Sequence, residues 1–157
     1  MPAWVAQLVE RFPEEEDVAS SILAPSTKML LVKTRIGPSN IAGAGTGLFA
    51  DQFIQKGTIT WRFNPGFDLR LDEDYPASLP EIAREFFYRY AAQDPKTKKY
   101  TLCLDNARFY NHSDTPNTCA MGSEVSSDEQ DVALRDIEPG EELTIDYRTF
   151  DTGSINF

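Results

Sequence analysis

The sequence predicts an α+β domain that is mostly β-structure. Three observations support this: short apolar runs separated by turn-forming residues, a single strongly periodic helical stretch, and no visible internal repeat. With 157 residues, of which 41% are apolar, the chain is long enough for one domain with a buried core.

The N-terminal stretch is predicted to form a short amphipathic helix. Its apolar residues recur at helical spacing, at Trp4, Val5, Leu8, Val9 and Phe12, before Pro13 and the acidic run 14–17 end the pattern. A stripe of this kind usually packs against a core. We therefore assign residues 1–27 to an N-terminal helical flank with a packing role.

Short strands are predicted along much of the remaining chain. Residues 58–63 alternate in polarity, with Ile59, Trp61 and Phe63 on one face. A type II turn at 138–141 is expected to join the last two strands and to pair them with each other. The predicted strands cover residues 28–35, 48–50, 58–63, 100–104, 132–137 and 143–145.

One helix stands out after residue 77. Ser78 and Glu81 have the spacing of a capping box, and Asp94-Pro95 marks the end of the pattern. The apolar stripe is predicted to face the core and comprises Leu79, Ile82, Ala83, Phe86, Phe87 and Tyr90.

Charge and composition restrict the class of partner. The formal net charge is −10, which disfavours direct nucleic-acid binding and favours a basic partner such as a Lys-rich protein. No apolar run is long enough to cross a membrane, and no signal-peptide pattern is visible. Two cysteines make no disulfide framework, so we expect an intracellular protein, cytoplasmic or nuclear.

The segment 108–117 holds the single histidine, His112, between Asn111 and Ser113. Sequence neighbours do not form a Ser-His-Asp triad, because their side chains point in different directions. His112 could be a general base or a buried structural histidine. One histidine and two cysteines cannot complete a tetrahedral zinc site of these ligands, and no carboxylate spacing supports another metal.

Two further stretches carry polar or flexible residues. The glycine cluster 43–47 lacks the residues of a phosphate loop or a dinucleotide fingerprint, so it is compatible with a plain turn or with close approach of a ligand. Glu141, Glu142 and Asp146 could be acid/base groups or a solvated turn edge.

The aromatic residues suit a pocket for a cation or a methylated amine and comprise Trp61, Phe63, Tyr100, Phe109, Tyr110, Tyr147 and Phe150.

Three motifs together resemble those of the SET domain, the fold of protein-lysine methyltransferases. They are the stretches 45–50 (GTGLFA), 108–113 (RFYNHS) with Pro116-Asn117, and 142–147 (ELTIDY), in the family's order and spacing. The resemblance covers about residues 28–150 and leaves 151–157 as a C-terminal tail. It implies a knotted β-fold of short sheets with one inserted helix, in which the central segment and the Tyr147 strand thread together.

The resemblance also implies an activity and its residues. It implies an S-adenosylmethionine-dependent enzyme, with S-adenosylhomocysteine as product, acting on lysine in a basic protein such as a histone or ribosomal protein. Tyr147 would be catalytic. The implied cofactor-binding residues are Ala44, Gly45, Thr46, Gly47, Arg108, Asn111, His112 and Tyr147. The implied substrate channel comprises Trp61, Phe63, Tyr100, Phe109, Tyr110, Ile145 and Phe150.

The chain departs from the family's pattern at several positions. Asp114 stands where many members have a zinc-binding cysteine, and the tail has no cysteine, so we expect no zinc. Phe150, Ile155, Phe157 or a second subunit would then cover the channel, which leaves a dimer open. A second channel hydroxyl would come from Tyr100, Tyr110 or a helix tyrosine, because 61–66 lacks the family's Tyr-x-Gly. Ile145 replaces a larger aromatic residue, which indicates room for more than one methyl group.

An alternative function is a non-catalytic SET-fold module that binds a basic or Lys-containing peptide. Trp61 in place of the family's tyrosine favours this alternative. The presence of Asn111, His112 and Tyr147 together favours the enzyme, because a docking module does not need them.

Overall fold

The computed structural model describes residues 29–122 and 129–151. Within these residues it contains one α-helix, ten short strands in four small sheets, and three single-turn 3₁₀ helices. This confirms the predicted α+β fold that is mostly β. The flank 1–27 and the tail from 152 onward lie outside the described residues, so the predicted domain boundaries stay predictions. No α-helix in the described ranges is long and apolar enough to cross a membrane.

The elements follow in chain order. The strands are β1 (Thr34–Pro38), β2 (Thr46–Ala50), β3 (Ile59–Arg62), β4 (Leu69–Leu71), β5 (Ala91–Gln93), β6 (Tyr100–Leu102), β7 (Asn111–His112), β8 (Thr118–Met121), β9 (Gln130–Ala133) and β10 (Thr144–Ile145). The helix α1 spans Glu81–Tyr90, and the 3₁₀ turns span Tyr75–Ser78, Asn106–Phe109 and Tyr147–Thr149.

Three of the sheets are antiparallel and one is parallel. β1 pairs with β2, β9 lies between β3 and β8, and β6 lies between β4 and β5, all antiparallel. The parallel pair is β7 with β10, where Asn111 faces Thr144 and His112 faces Ile145. This pair joins two segments that are more than thirty residues apart along the chain, so their elements meet only in the tertiary fold.

The prediction that the last two strands pair with each other was wrong. The turn itself is present, since Gly140 has φ +93° and the amide of Glu141 donates to the carbonyl of Glu138 at 3.1 Å. On one side of it Ile137 bridges to Ile54, and on the other the amide of Leu143 donates to Leu48 at 2.7 Å. The segments before and after the turn therefore pair with different parts of the chain, and β10 pairs with β7.

The core lies between β1–β2, the β3–β9–β8 sheet and the β7–β10 pair. Its most deeply buried side chains are Leu48, Ile54, Ile137, Leu143 and Ile145. Burial of large aliphatic side chains of this kind stabilises by roughly 1.5–3 kcal/mol each. Ile145 of the parallel pair belongs to this core.

Two predicted strands differ in detail from the structure. The strand expected over 28–35 begins only at Thr34, because the preceding residues bond elsewhere: Leu30 bridges to Trp61, and the amide of Leu31 donates to Thr60. In β3 the register shifts between Ile59 and Trp61, so Thr60 and Trp61 are both buried. The irregularity breaks the strict alternation that the sequence predicted.

The helix is present, but its predicted cap was wrong and its predicted core stripe holds only in part. Ser78 donates to the carbonyl of Tyr75 at 2.7 Å and closes the preceding 3₁₀ turn, while α1 starts after Pro80 without a capping side chain. Phe87 is the buried residue of α1, whereas Ile82 is 82% exposed and Phe86 is 52% exposed. A small three-stranded sheet is too narrow to cover the whole apolar stripe, so the helix buries only one side.

Candidate functional site

The parallel pair of β7 and β10 brings the central motif and the C-terminal motif together. Asn117, which is 3% exposed, holds the pair in register: its Oδ1 accepts from the amide of Thr144 and its Nδ2 donates to the carbonyl of Glu142, both at 2.8 Å. The hydroxyl of Thr118 donates to the carbonyl of Thr144 at 2.8 Å. The Pro-Asn part of the central motif is thus a structural anchor, which sequence reasoning did not identify.

The glycine loop lies beside this pair. Gly43 and Gly45 have φ of +84° and +76°, the left-handed region that side chains disfavour, and the carbonyl of Gly45 accepts from the amide of Ser39 at 2.8 Å. A Cβ built on either glycine would find no atom within 4 Å. The positive φ angles therefore favour glycine at both positions. The space next to the loop is open.

Asn111 joins the loop to the parallel pair. Its Nδ2 donates to the carbonyl of Thr46 at 3.0 Å, to Oε1 of Glu142 at 2.9 Å and to Oγ of Ser39 at 3.2 Å. Because a carbonyl and a carboxylate can only accept, the nitrogen of the amide must face them. The oxygen of the same amide therefore points to the other side, and no donor from residues 29–122 or 129–151 bonds to it.

Glu142 is the buried centre of this network. Its Oε1 also accepts from the hydroxyl of Ser39, and its Oε2 accepts from the amide of Asn40, both at 2.7 Å. The carboxylate lies against Gly47, where an added Cβ would overlap Oε1 and stand 2.8 Å from Cδ. Glu142 is 8% exposed, so it is not the solvated turn edge that one sequence interpretation allowed.

The neighbouring Glu141 has a different environment. It forms a two-point ion pair with Arg135, at 2.7 and 3.1 Å, and accepts from the amide of Glu138. The hydrogen bond from Arg135 is the main cause that holds the pKa of Glu141 below its usual value. The two adjacent glutamates are thus separated in role, and the structure does not combine them into an acid/base pair.

Tyr147 is fixed at both ends. Its hydroxyl donates to the carbonyl of Tyr110, and its amide donates to Nδ1 of His112 at 3.2 Å. Its ring lies 5.6 Å from the His112 ring and 5.8 Å from the Phe150 ring. Burial, with a contribution from Asp151, raises the pKa of Tyr147 to about 12. The side chain is therefore a neutral phenol at physiological pH.

His112 acts here as an acceptor. Because Nδ1 accepts from the amide of Tyr147, the proton of a neutral imidazole belongs on Nε2. Nε2 lies 3.6 Å from Oδ1 of Asp114, and Nδ1 lies 3.6 Å from Oδ1 of Asp146. This arrangement favours the structural role over the general-base role, the two alternatives that the sequence left open.

Arg148 links the two aspartates around the histidine. Its guanidinium contacts Asp114 at 2.9 Å and Asp146 at 2.8 Å. The hydrogen bond from Arg148 is the main cause that keeps the pKa of Asp146 below its usual value. Asp114, at the position of the family's zinc-binding cysteine, thus forms an ion pair. Among the described residues, no group of three or more His, Cys, Asp or Glu side chains has the geometry of a metal site.

The predicted channel residues fall into two environments. Trp61, Tyr110 and Ile145 are buried in the core, and the hydroxyl of Tyr110 donates to Thr60 at 3.0 Å. Burial raises the pKa of Tyr110 above its usual value. The residues that pack partly buried against the core are Phe63, Phe109, Tyr147 and Phe150.

Tyr100 and Arg108 each contact neighbouring aromatic rings. Tyr100 packs against Phe87 of α1 at 5.0 Å between ring centres. The guanidinium of Arg108 lies over the Phe109 ring at 4.9 Å and donates to the carbonyl of Leu104. Their predicted roles in channel and cofactor binding stay predictions, as does the role of Ile145 in the number of methyl groups.

The family model of the SET domain matches residues 45–148. The chain belongs to the SET domain family. This confirms the family that the three motifs indicated. Sequence comparison with curated proteins finds no match for this SET domain.

Solved structures with the same fold include SET-domain proteins of two organisms. A Plasmodium falciparum protein described as a candidate histone methyltransferase has a TM-score of 0.53 at 22% identity, over 74% of this chain and 93% of that chain. Polycomb Repressive Complex 2 of Chaetomium thermophilum bound to S-adenosylmethionine has a TM-score of 0.59 at 19% identity. The same complex bound to GSK126 has a TM-score of 0.60 at 19% identity.

The two Chaetomium matches each cover 77% of this chain, which spans only 16% of those chains. At these identities the likeness to all three structures establishes the fold of the SET domain.

Proposed function

We propose that this SET domain is an S-adenosylmethionine-dependent methyltransferase that acts on the side-chain amine of lysine in a protein substrate. The observation that carries the proposal is the junction of Asn111, His112 and Tyr147. Tyr147 bonds through its amide to the His112 ring, and Asn111 bonds to the glycine-loop carbonyl of Thr46. A protein that only docks peptides has no need for this junction.

The residues at the junction fit the methyl donor. The carboxamide oxygen of Asn111 is directed away from Glu142 and is free to accept a hydrogen bond from a ligand ammonium. The open space beside Gly43 and Gly45 allows a ligand to approach main-chain groups of the loop. In this proposal Ala44–Gly47, Asn111 and His112 hold the cofactor, and Arg108 extends the site. S-adenosylmethionine, when bound, supplies a methyl group attached to a positively charged sulfur.

The remaining task of the protein is to present a neutral amine in line with that methyl group. A neighbouring positive charge lowers the pKa of an ammonium group, so the lysine can release its proton to solvent without a dedicated base. Alignment in a site shielded from water can contribute on the order of 7–11 kcal/mol to lowering the barrier. This explains how a site with one histidine that is already engaged as an acceptor can be catalytic.

Tyr147 orients the amine in this proposal. Its pKa of about 12 keeps the hydroxyl protonated, and that proton is directed at the carbonyl of Tyr110. The lone pairs of the hydroxyl oxygen are then available to accept a hydrogen bond from the substrate nitrogen. The Phe150 ring packs against Tyr147 at 5.8 Å between ring centres, and in this proposal it would shield the position from water.

The charge of the chain supports a basic protein substrate. A net charge of −10 attracts Lys-rich segments and raises their rate of encounter. The Plasmodium protein with the same fold is described as a candidate histone methyltransferase, so we take histones as the first substrate class to test and ribosomal proteins as the second.

Titration calorimetry with S-adenosylmethionine and with S-adenosylhomocysteine tests the cofactor, and a labelled-methyl screen over histones and ribosomal proteins tests the substrate. We expect binding of both ligands and transfer of label to lysine. Asn111→Ala should weaken binding of S-adenosylhomocysteine, whereas Tyr75→Phe, remote from the junction, should leave it unchanged. If neither ligand binds, even in the presence of the histones and ribosomal proteins, the proposal is contradicted and the non-catalytic docking module is favoured.

A further inference from the structure

Tyr110 connects the candidate site to the core of the domain. Its carbonyl accepts the hydrogen bond from the hydroxyl of Tyr147, so the position of this carbonyl sets the direction of the Tyr147 proton. The side chain of Tyr110 is 5% exposed, and its hydroxyl donates to Oγ1 of Thr60 at 3.0 Å. Because one residue makes both bonds, a change at the hydroxyl of Tyr110 can move its carbonyl.

The hydrogen bonds of this series have one consistent direction. The hydroxyl of Thr60 donates to the carbonyl of Asp131 at 3.3 Å. A carbonyl can only accept, so the single proton of Thr60 is used in that bond and its oxygen accepts from Tyr110. Burial raises the pKa of Tyr110 above its usual value, so its hydroxyl keeps the proton that it donates. The series therefore runs from Tyr110 through Thr60 to β9.

Thr60 has its buried position because β3 is irregular. The register of β3 with β9 shifts between Ile59 and Trp61, and Thr60 between them is 0% exposed. Burying a hydroxyl costs free energy unless the hydroxyl is hydrogen-bonded. A valine would fill a similar space without that cost, so the contribution of Thr60 beyond packing comes from its two hydrogen bonds.

We propose that Thr60 is a positioning residue for the methyl transfer. The proposal rests on the proposed function. The Thr60 hydroxyl holds the Tyr110 side chain, and the Tyr110 carbonyl directs the Tyr147 proton. The lone pairs of the Tyr147 oxygen are thereby kept toward the substrate nitrogen. Thr60 acts only through other protein groups, and a small displacement of an oriented group is enough to reduce the rate of a reaction.

Two variants break the same hydrogen bond from opposite sides. Thr60→Val removes the acceptor and keeps the branched shape, and Tyr110→Phe removes the donor. The single-turnover rate of labelled-methyl transfer to the histone or ribosomal protein that accepts label should fall about 10-fold in each, because the Tyr147 hydroxyl remains but is less well oriented. The double variant should be close to either single variant. Thr60→Ser keeps the hydroxyl and should restore the rate. The affinity for S-adenosylhomocysteine should stay unchanged throughout.

Carbon-13 NMR of the full chain with tyrosine labelled at Cζ tests the link without relying on activity. The chain has six tyrosines, and Tyr147→Phe, Tyr110→Phe and Tyr75→Phe assign three of the signals. The Cζ shift responds to the hydrogen bond of the attached hydroxyl. In Thr60→Val the Tyr147 signal should shift, while the Tyr75 signal stays in place and reports an intact fold. Should Thr60→Val disturb the Tyr75 signal, Tyr110→Phe serves as the second variant.

Thr101→Val is the matched control, because the Thr101 hydroxyl also accepts a side-chain hydrogen bond, from Arg70 at 2.8 Å, but lies in the sheet of β4, β6 and β5. This variant should change neither the transfer rate nor the Tyr147 signal. A Tyr147 signal that does not shift in Thr60→Val, or a rate that falls no more than in Thr101→Val, would overturn the proposal.

Failure of the proposed function has a different signature. An unmodified protein that transfers no methyl group contradicts that function. The Tyr147 signal then decides the link alone: a shift in Thr60→Val supports positioning of the Tyr147 hydroxyl by Thr60, and an unchanged signal overturns it.

Discussion

The amide nitrogen of Asn111 lies 2.9 Å from Oε1 of Glu142, and this contact links β7 to the residue pair that leads into β10. The same carboxylate bonds Ser39 and the backbone of Asn40, which precede the glycine loop. One buried carboxylate therefore fixes both the loop and the asparagine of the candidate cofactor site. A substitution at Glu142 is therefore expected to alter the candidate cofactor site, although the Glu142 side chain bonds only to the protein.

Glu142→Gln is expected to lower the free energy of unfolding by about 1–3 kcal/mol, because the glutamine amide would place a donor against the donors that Glu142 now accepts. Binding of S-adenosylhomocysteine should weaken as the Asn111 amide loses its orientation. Chemical denaturation and titration calorimetry measure the two effects. The neighbouring Glu141→Gln is the control, and its exposed ion pair with Arg135 should contribute only ~0–1 kcal/mol. Equal effects of the two variants would contradict the role of Glu142.

Gly47→Ala is expected to destabilise the domain although the position is in a regular strand. The new Cβ would overlap the Glu142 carboxylate and approach Cα of Ser39 to 3.3 Å, a contact that backbone cannot easily relieve. We expect a loss of about 1–3 kcal/mol, typical of overpacking. Gly37→Ala in β1 is the control, because its Cβ would meet only ordinary contacts at 3.5 Å or more. Thermal unfolding of the two variants compares them, and a Gly47→Ala protein as stable as Gly37→Ala would argue against a close approach of Glu142.

The three motifs were visible in the sequence because each has a recognisable local pattern, and they led to the residues that meet at the junction. The pairing of β10 with β7 was not visible, since a parallel contact between distant segments leaves no local periodicity. The roles of Ser39 and Asn117 were missed for the same reason. A Glu within a Pro-Gly turn motif looks solvated until the fold brings Ser39, Asn40 and Asn111 to it.

The errors in α1 and β3 have local physical causes. The apolar stripe of α1 has the period of a core helix, but while Phe87 packs on Tyr100 of the sheet, Ile82 and Phe86 remain exposed. The register shift in β3 turns Thr60 inward, where its hydroxyl bonds Tyr110 and the carbonyl of Asp131. Periodicity describes which face is apolar, and only the neighbouring elements decide how much of it is covered.

Tyr147→Phe should retain cofactor binding and lose methyl transfer. The variant keeps the ring that packs on His112 and Phe150 and keeps the amide that bonds His112, so the fold and the loop are preserved. Loss of an oriented hydroxyl at the reacting centre is expected to reduce kcat by about 10²–10³-fold. Single-turnover transfer of labelled methyl, with calorimetry of S-adenosylhomocysteine on the same sample, measures both. Unchanged turnover would remove Tyr147 from the reaction.

The carboxyl group of Asp131 is expected to make the free energy of unfolding depend on pH. Burial is the main cause that raises the pKa of Asp131 to about 8, and the carboxylates of Glu129 and Asp105 add to it. In the unfolded chain the pKa is about 3.9. The folded state therefore holds a proton that the unfolded state releases, and this stabilising contribution is full below about pH 4 and is lost as pH rises to about 8.

Asp131→Asn tests this by removing the titration while keeping the shape of the side chain. The difference in unfolding free energy between the variant and the unmodified protein should grow in favour of the variant from about pH 4 to about pH 8, with a slope of at most roughly 1.4 kcal/mol per pH unit, and then level off. Asp51→Asn, the same substitution at an exposed position, is the control for the chemical change itself. Urea unfolding at several pH values measures the curve. A flat difference for Asp131→Asn would mean that the carboxyl group is ionised in the folded protein at neutral pH, with a compensating partner or solvent contact.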